Sequence, residues 1–159
     1  MNEFRDRDLP FGEKGESLIL ELILKKYKTA YKQDGYHKEY DIMIPEINKT
    51  VEVKRDAQTD STGNIFIESS CQNVESGIAA TTANIFAYIT ESKIYWIETE
   101  NINKCIEEQK ILKGVGFRIQ GKKIDAYLIP TSIFEKYCIR IDKLTEEHKC
   151  QLNSNKAQR

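Results

Sequence analysis

Apolar residues fall at three- and four-residue intervals in "FGEKGESLILELILKKYKTAY", where Leu18, Ile19, Leu22 and Ile23 line one side of an amphipathic helix over about residues 12–31. Glu13 and Glu16 suit the positive N-terminal end of its dipole, and Lys25, Lys26 and Lys28 suit the other end. "QDG" at 33–35 is a turn signal, after which the pattern changes to period two. "YHKEYDIMI" predicts a strand, "PEINK" a tight connection and "TVEVKRD" a returning strand, so the pair reads as a hairpin. A polar loop leads to "NIFIESS", a third strand in which Ile65 and Ile67 alternate with Phe66 and Glu68. "ESGIAATTA" fits a short helix, and "NIFAYIT" and "KIYWIET" read as interior strands. "ENINKCIEEQ" is helix-like, with Thr99 or Asn101 as cap. "VGFRIQG" and "KKIDAYLIP" are strands around a turn at Gln120-Gly121-Lys122, and "TSIFEKY" is a short helix opened by Thr131 or Ser132. From Lys143 the apolar period is lost, so residues 143–159 read as a polar, frayed tail after a single domain of residues 1–142. This order implies an α/β fold with a central mixed β-sheet flanked by helices.

Composition narrows the class. With 159 residues, 40% apolar, 8 Tyr and 6 Phe, the chain closes one hydrophobic core without staples. A net charge of −1 and a pI near 6.2 give no basic signature for nucleic acid, although carboxylates gathered at a metal site would offset a basic surface in the total. Cys71, Cys105, Cys138 and Cys150 match neither zinc-ligand spacing nor a disulfide framework, and read as reduced structural thiols. The charged N-terminus lacks the apolar centre of a secretory signal, and no run approaches the ~18 residues of a membrane span. A cytoplasm-like compartment and no membrane are the expectations.

Candidate chemistry gathers on the predicted hairpin. In "TVEVKRD" Val51 and Val53 point to one face, and Glu52 and Lys54 stand together on the other. Asp41 precedes Glu52 by a strand, a turn and part of a returning strand, a separation that lets two carboxylates meet across the hairpin. Carboxylates pressed together repel unless a cation lies between them, and Mg²⁺ prefers hard oxygen ligands with open water positions. A nearby lysine orients or deprotonates water and stabilises charge on a phosphate, so the group suits phosphodiester hydrolysis.

Asp41, ten intervening residues, then Glu52-Val53-Lys54 resembles the PD-(D/E)XK nuclease superfamily, the restriction-endonuclease-like fold. The resemblance covers roughly residues 11–100 by order of elements, with "GEKGE" before the strands and "SGIAATTANIFAYI" after them, and "TGNIFIE…SGIAATTAN" looks like the phage and virus-associated branch of small nucleases. It implies a Mg²⁺-dependent deoxyribonuclease, with Mn²⁺ as substitute, acting on DNA inside a cell, the host cell for a viral protein. Asp41 and Glu52 would hold the metal with the Val53 carbonyl, Lys54 would serve the attacking water, and Glu16 would reach the metal or its water shell, with Glu13 as rival. Tyr40 stands where the family name has proline. Many members of the family act as dimers to cut both strands, which makes a homodimer the matching expectation.

Plainer readings stand beside these. A solvated strand also alternates Val with Glu and Lys. Glu68 is either a carboxylate near Lys54 or an edge charge, and Arg55 and Asp56 either touch substrate or end the strand. Gln72, Asn73 and Ser76 read as turn residues, and "GIAATTA" as close packing in preference to a phosphate-gripping helix start. Tyr88, Tyr95 and Trp96 belong to the core or its rim. His37 and His148 stand too far apart to be ligands. Lys25, Lys26, Lys28 and Lys32, with Arg118, Lys122 and Lys123, either form a phosphate surface or are solvated charge. The alternative function is a catalytically inactive nuclease-fold module that binds nucleic acid or a protein partner; a structural assembly protein is the third.

Overall fold

A computed structural model describes residues 3–35 and 39–154. The architecture is mixed α/β, with a six-stranded mixed sheet between a layer of helices and a second, four-stranded sheet. Helix α1 runs Glu3–Leu24, starting earlier and ending earlier than its periodicity predicts. Ala30 is buried beyond it, but Tyr31–Lys32 forms a short edge strand, β1, in place of a last helical turn.

The predicted hairpin is present, although its first strand is short. Strand β2 is only Ile42–Ile44; Asp41 lies in a bend just before it, Tyr40 in irregular chain, and residues 36–38, with His37, fall outside the described residues. Pro45–Ile47 makes one 3₁₀ turn closed by Asn48 in the left-handed region (φ 49°), and β3 returns over Lys49–Arg55. The pairing is antiparallel, with Ile42 opposite Val51 and Ile44 opposite Lys49.

A four-residue helix α2 (Thr59–Thr62) leads to β4 (Asn64–Cys71), which leaves the first sheet. The expected central mixed sheet is present, and β4, with Ile65 and Ile67 on one face and Phe66 on the other, belongs to a second sheet beside it. It pairs with β5 (Val74–Glu75) and with β9 (Lys122–Pro130), which pairs with β8 (Lys113–Ile119) in a sheet ordered β5-β4-β9-β8. Gln72 and Asn73, both at positive φ, turn β4 into β5, and Gln120 and Gly121 do the same between β8 and β9.

The chain re-enters the first sheet with β6 (Ile85–Ile89) parallel to β3, then β7 (Lys93–Glu98) antiparallel to β6. In place of the short helix predicted over 75–83 there is a single 3₁₀ turn, Gly77–Ala79. Gly77 has φ +52°, and a Cβ there would lie 2.2 Å from the Glu68 carbonyl oxygen, so the small residues serve close packing on β4. Helix α3 (Thr99–Glu108) starts without a side-chain cap from Thr99 or Asn101; α4 (Thr131–Phe134) follows Pro130, and β10 (Arg140–Lys143) pairs with β7. The first sheet therefore runs β1-β2-β3-β6-β7-β10.

The segment expected to fray after Lys143 carries a helix instead. α5 spans Glu146–Asn153 and opens with a capping box between Thr145 and His148. Leu144 and Leu152 are buried with Leu18, Ile19, Val51 and Ala87, between α1 and the first sheet. A second core lies on the sheet's other face, where Phe86, Tyr88, Tyr95 and Ile97 meet Ile65 and Ile67 of β4, Ile102 of α3 and Phe134 of α4. All four cysteines are free thiols. Among the described residues, no helix is long and apolar enough to cross a membrane.

Candidate active site

Strand β3 divides its side chains between the two cores. Val51 and Val53 are buried in the layer under α1, which sends Glu52 and Lys54 to the opposite face, beside Phe86 and Tyr88 of the parallel neighbour β6. The ladder ends with Ile42 opposite Val51, and in the bend just before it the Asp41 N–H donates to the Val51 carbonyl at 2.9 Å, which holds Asp41 at the edge of β3.

Asp41 is 5% exposed, and its Oδ2 accepts the Val53 N–H at 2.7 Å. Normally that N–H would bond to the next residue of β2, but β2 has ended; the side chain replaces the missing strand. Val53 presents its N–H and carbonyl to the same edge as Val51, two residues away, so its carbonyl also faces the side where Asp41 sits.

The Lys54 ammonium lies 3.3 Å from Glu52 Oε1. Its side chain is 39% exposed and that of Glu52 17%. Burial lowers the Lys54 pKa, but the charges of Glu52, Glu68 and Asp41, in that order, outweigh it and hold the ammonium above the ordinary lysine value. Three carboxylates thus act on one cation. Glu68, from β4, is the member that the hairpin spacing alone does not reveal.

Glu16 occupies a different position. It projects from α1, which packs on the Val51 and Val53 face, and its carboxylate lies 3.5 Å from Lys32 of β1. Its side chain is 14% exposed, whereas Glu13 is exposed, which favours Glu16 of the two for an inward role.

Arg55 stacks on Phe11 at 3.7 Å and donates to the Phe11 carbonyl and to Asn153, so it fastens the strand's end to α1 and α5. Asp56 anchors the loop that follows, accepting from the Gln58 N–H, the Thr59 hydroxyl and the Tyr88 hydroxyl. Burial, and then the Asp56 charge, push the Tyr88 phenol well above its usual range, so it stays protonated and donates. Tyr88, Tyr95 and Trp96 are 3%, 2% and 9% exposed and belong to the cores. His148 caps α5.

Among the described residues, no three His, Cys, Asp or Glu side chains form a cage for an ion. The hairpin supplies a smaller set, the two carboxylates of Asp41 and Glu52 with the Val53 carbonyl. All are hard oxygen donors, and Mg²⁺ usually takes only one or two protein carboxylates, filling its remaining positions with water and substrate phosphate. In this respect the donor set fits that ion. No family model, curated protein or solved structure matches the chain.

Proposed function

We propose that the protein is a Mg²⁺-dependent nuclease that hydrolyses phosphodiester bonds of DNA, as an endonuclease, on a restriction-endonuclease-like scaffold. One observation carries this reading: the Asp41 carboxylate sits on the main-chain N–H of Val53, the residue between Glu52 and Lys54, which form an ion pair on one face of the strand. A bound divalent ion would supply Lewis-acid stabilisation of the phosphate and lower the pKa of a coordinated water. Asp41, Glu52 and the Val53 carbonyl would hold it. Lys54 would orient the attacking water and then balance charge on the phosphate.

The field that keeps Lys54 protonated also constrains its role. A dication held by the same carboxylates would offset much of that field, so Lys54 would hold its proton less tightly in the loaded site. Incubation of the protein with plasmid DNA and Mg²⁺ or Mn²⁺ tests the reading. Nicking that disappears with chelator and in Glu52→Gln and Lys54→Met supports it, and undiminished cleavage in both variants removes it.

The close Lys54–Glu52 pair favours a second reading, an inactive module of the same fold that binds nucleic acid or a protein partner, since a lysine already neutralises the carboxylates. Calorimetric titration with Mn²⁺ separates the two. Uptake lost in Glu52→Gln belongs to the nuclease, and no uptake belongs to the module.

A further inference from the structure

The face of β3 that carries Lys54 opens into a hollow of about 480 Å³ lined by residues of both sheets. Its walls are mostly apolar. Phe86 lines it from the first sheet, and Phe66, Ile119, Ile124 and Leu128 make an apolar wall on the second. The registers explain this wall: Phe66 pairs with Leu128, Ile119 pairs with Lys122, and Leu128, Ile124 and Lys122 alternate onto one face of β9. Leu128 is 40% exposed and Ile119 41%, so two large apolar side chains stand at an open mouth. Gln58 and Asn64 supply amides at the rim, and Lys54 and Glu68 complete the lining.

From this arrangement we infer that the hollow receives an unpaired nucleobase, which makes single-stranded or frayed DNA, rather than intact duplex, the preferred substrate. The inference rests on the nuclease reading for what lies beside it. The volume falls in the range of roughly 300–1,000 Å³ typical of small-ligand sites. A nucleobase is flat and apolar on its faces and polar at its edges, matching apolar walls with amides at the rim. Position supports a nucleic acid over an apolar peptide. Lys54 belongs both to the candidate site and to the lining of the hollow, so a base held here leaves its phosphate backbone beside the proposed reacting centre. A base within a duplex is stacked and paired and cannot enter such a hollow without being extruded, whereas an unpaired base enters with little penalty.

The test uses fluorescence anisotropy of the full chain, in chelator, with a labelled twelve-nucleotide thymidine oligomer and with a blunt duplex of the same length. Single strands should bind more tightly than duplex. Leu128→Trp, which fills the mouth, and Ile119→Ala, which removes a wall, should each weaken single-strand binding by roughly five- to tenfold and leave duplex binding unchanged. Circular dichroism would confirm that these exposed-site variants fold. Equal binding of both DNA forms, or single-strand affinity unchanged in both variants, overturns the inference and leaves the hollow to an apolar protein side chain. The outcomes keep the two readings apart: selective single-strand binding without any cleavage sinks the nuclease and keeps the base site, whereas cleavage indifferent to strandedness and to Leu128 does the reverse.

Discussion

The Asp41 carboxylate is bonded to the Val53 main-chain N–H at 2.7 Å, with Asp41 only 5% exposed, so one residue of the candidate site also completes the sheet. Two roles in one side chain call for two substitutions. Asp41→Ala leaves the buried Val53 N–H without its acceptor and should cost about 1–3 kcal/mol of stability. Asp41→Asn keeps an acceptor oxygen but removes the charge; it should retain most of the stability while losing cleavage and Mn²⁺ uptake. Urea denaturation beside plasmid nicking checks both, and an Asp41→Asn protein that cleaves normally would confine this residue to structure.

Lys54 gives a prediction with a defined sign in pH. Its folded-state pKa lies above the ordinary value of 10.5, so the stability it confers on the carboxylates is fully present below that value and is lost as pH rises through the folded pKa. The stability gap between the wild type and Lys54→Met should therefore stay constant across neutral and mildly alkaline pH and narrow only above 10.5. Removing the ammonium also removes a competitor for the carboxylates. Lys54→Met should bind Mn²⁺ several-fold more tightly than wild type while failing to cleave DNA, and weaker binding in calorimetry would show that Lys54 assists the metal instead of opposing it.

How much of this site the sequence reveals depends on the range of each interaction. Alternation in "TVEVKRD" places Glu52 and Lys54 on one face because the side-chain period of a strand is local, and the turn at Pro45–Asn48 fixes which residue of the preceding strand stands opposite. Glu68 and the hollow beside it depend on β4 joining β9 in a second sheet, a pairing between segments some sixty residues apart that no local period encodes. The close packing read from "GIAATTA" is present, but the helix expected over "ESGIAATTA" is not, for a similar reason. Small residues read as helix formers, but the approach of Gly77 to the Glu68 carbonyl oxygen is decided by packing across the chain.

Glu16 and Glu13 are separable by experiment. Glu16 pairs with Lys32 at 3.5 Å with side chains 14% and 32% exposed, and partly exposed ion pairs of this kind contribute about 0–1 kcal/mol. Glu16→Gln should therefore change the urea midpoint little. If Glu16 reaches the water shell of a bound ion, the same variant lowers cleavage at limiting Mg²⁺ and is rescued by raising the concentration, and Glu13→Gln does neither. A Glu16→Gln enzyme with unaltered Mg²⁺ dependence would leave the residue to its ion pair.

The C-terminal helix is the element most at odds with its polar sequence, and its stability hangs on few contacts. α5 has eight residues, too short to hold alone, and Leu152, 4% exposed, is its buried anchor against α1. Around that anchor, Gln151 donates to Glu21 at 2.8 Å and Asn153 accepts from Arg55 at 3.1 Å, which ties the helix to the end of the strand bearing Lys54. Leu152→Ala should therefore cost about 2–3 kcal/mol in urea denaturation, whereas Glu147→Ala on the exposed side should cost less than about 0.5 kcal/mol. With Leu152 as its buried anchor and its polar links, including Lys14 to the Ser154 carbonyl, exposed or only part-buried, α5 should open locally before the sheet does, with amides that exchange faster than those of β6. A Leu152→Ala protein as stable as the wild type would show that the helix rests on the core without contributing to it.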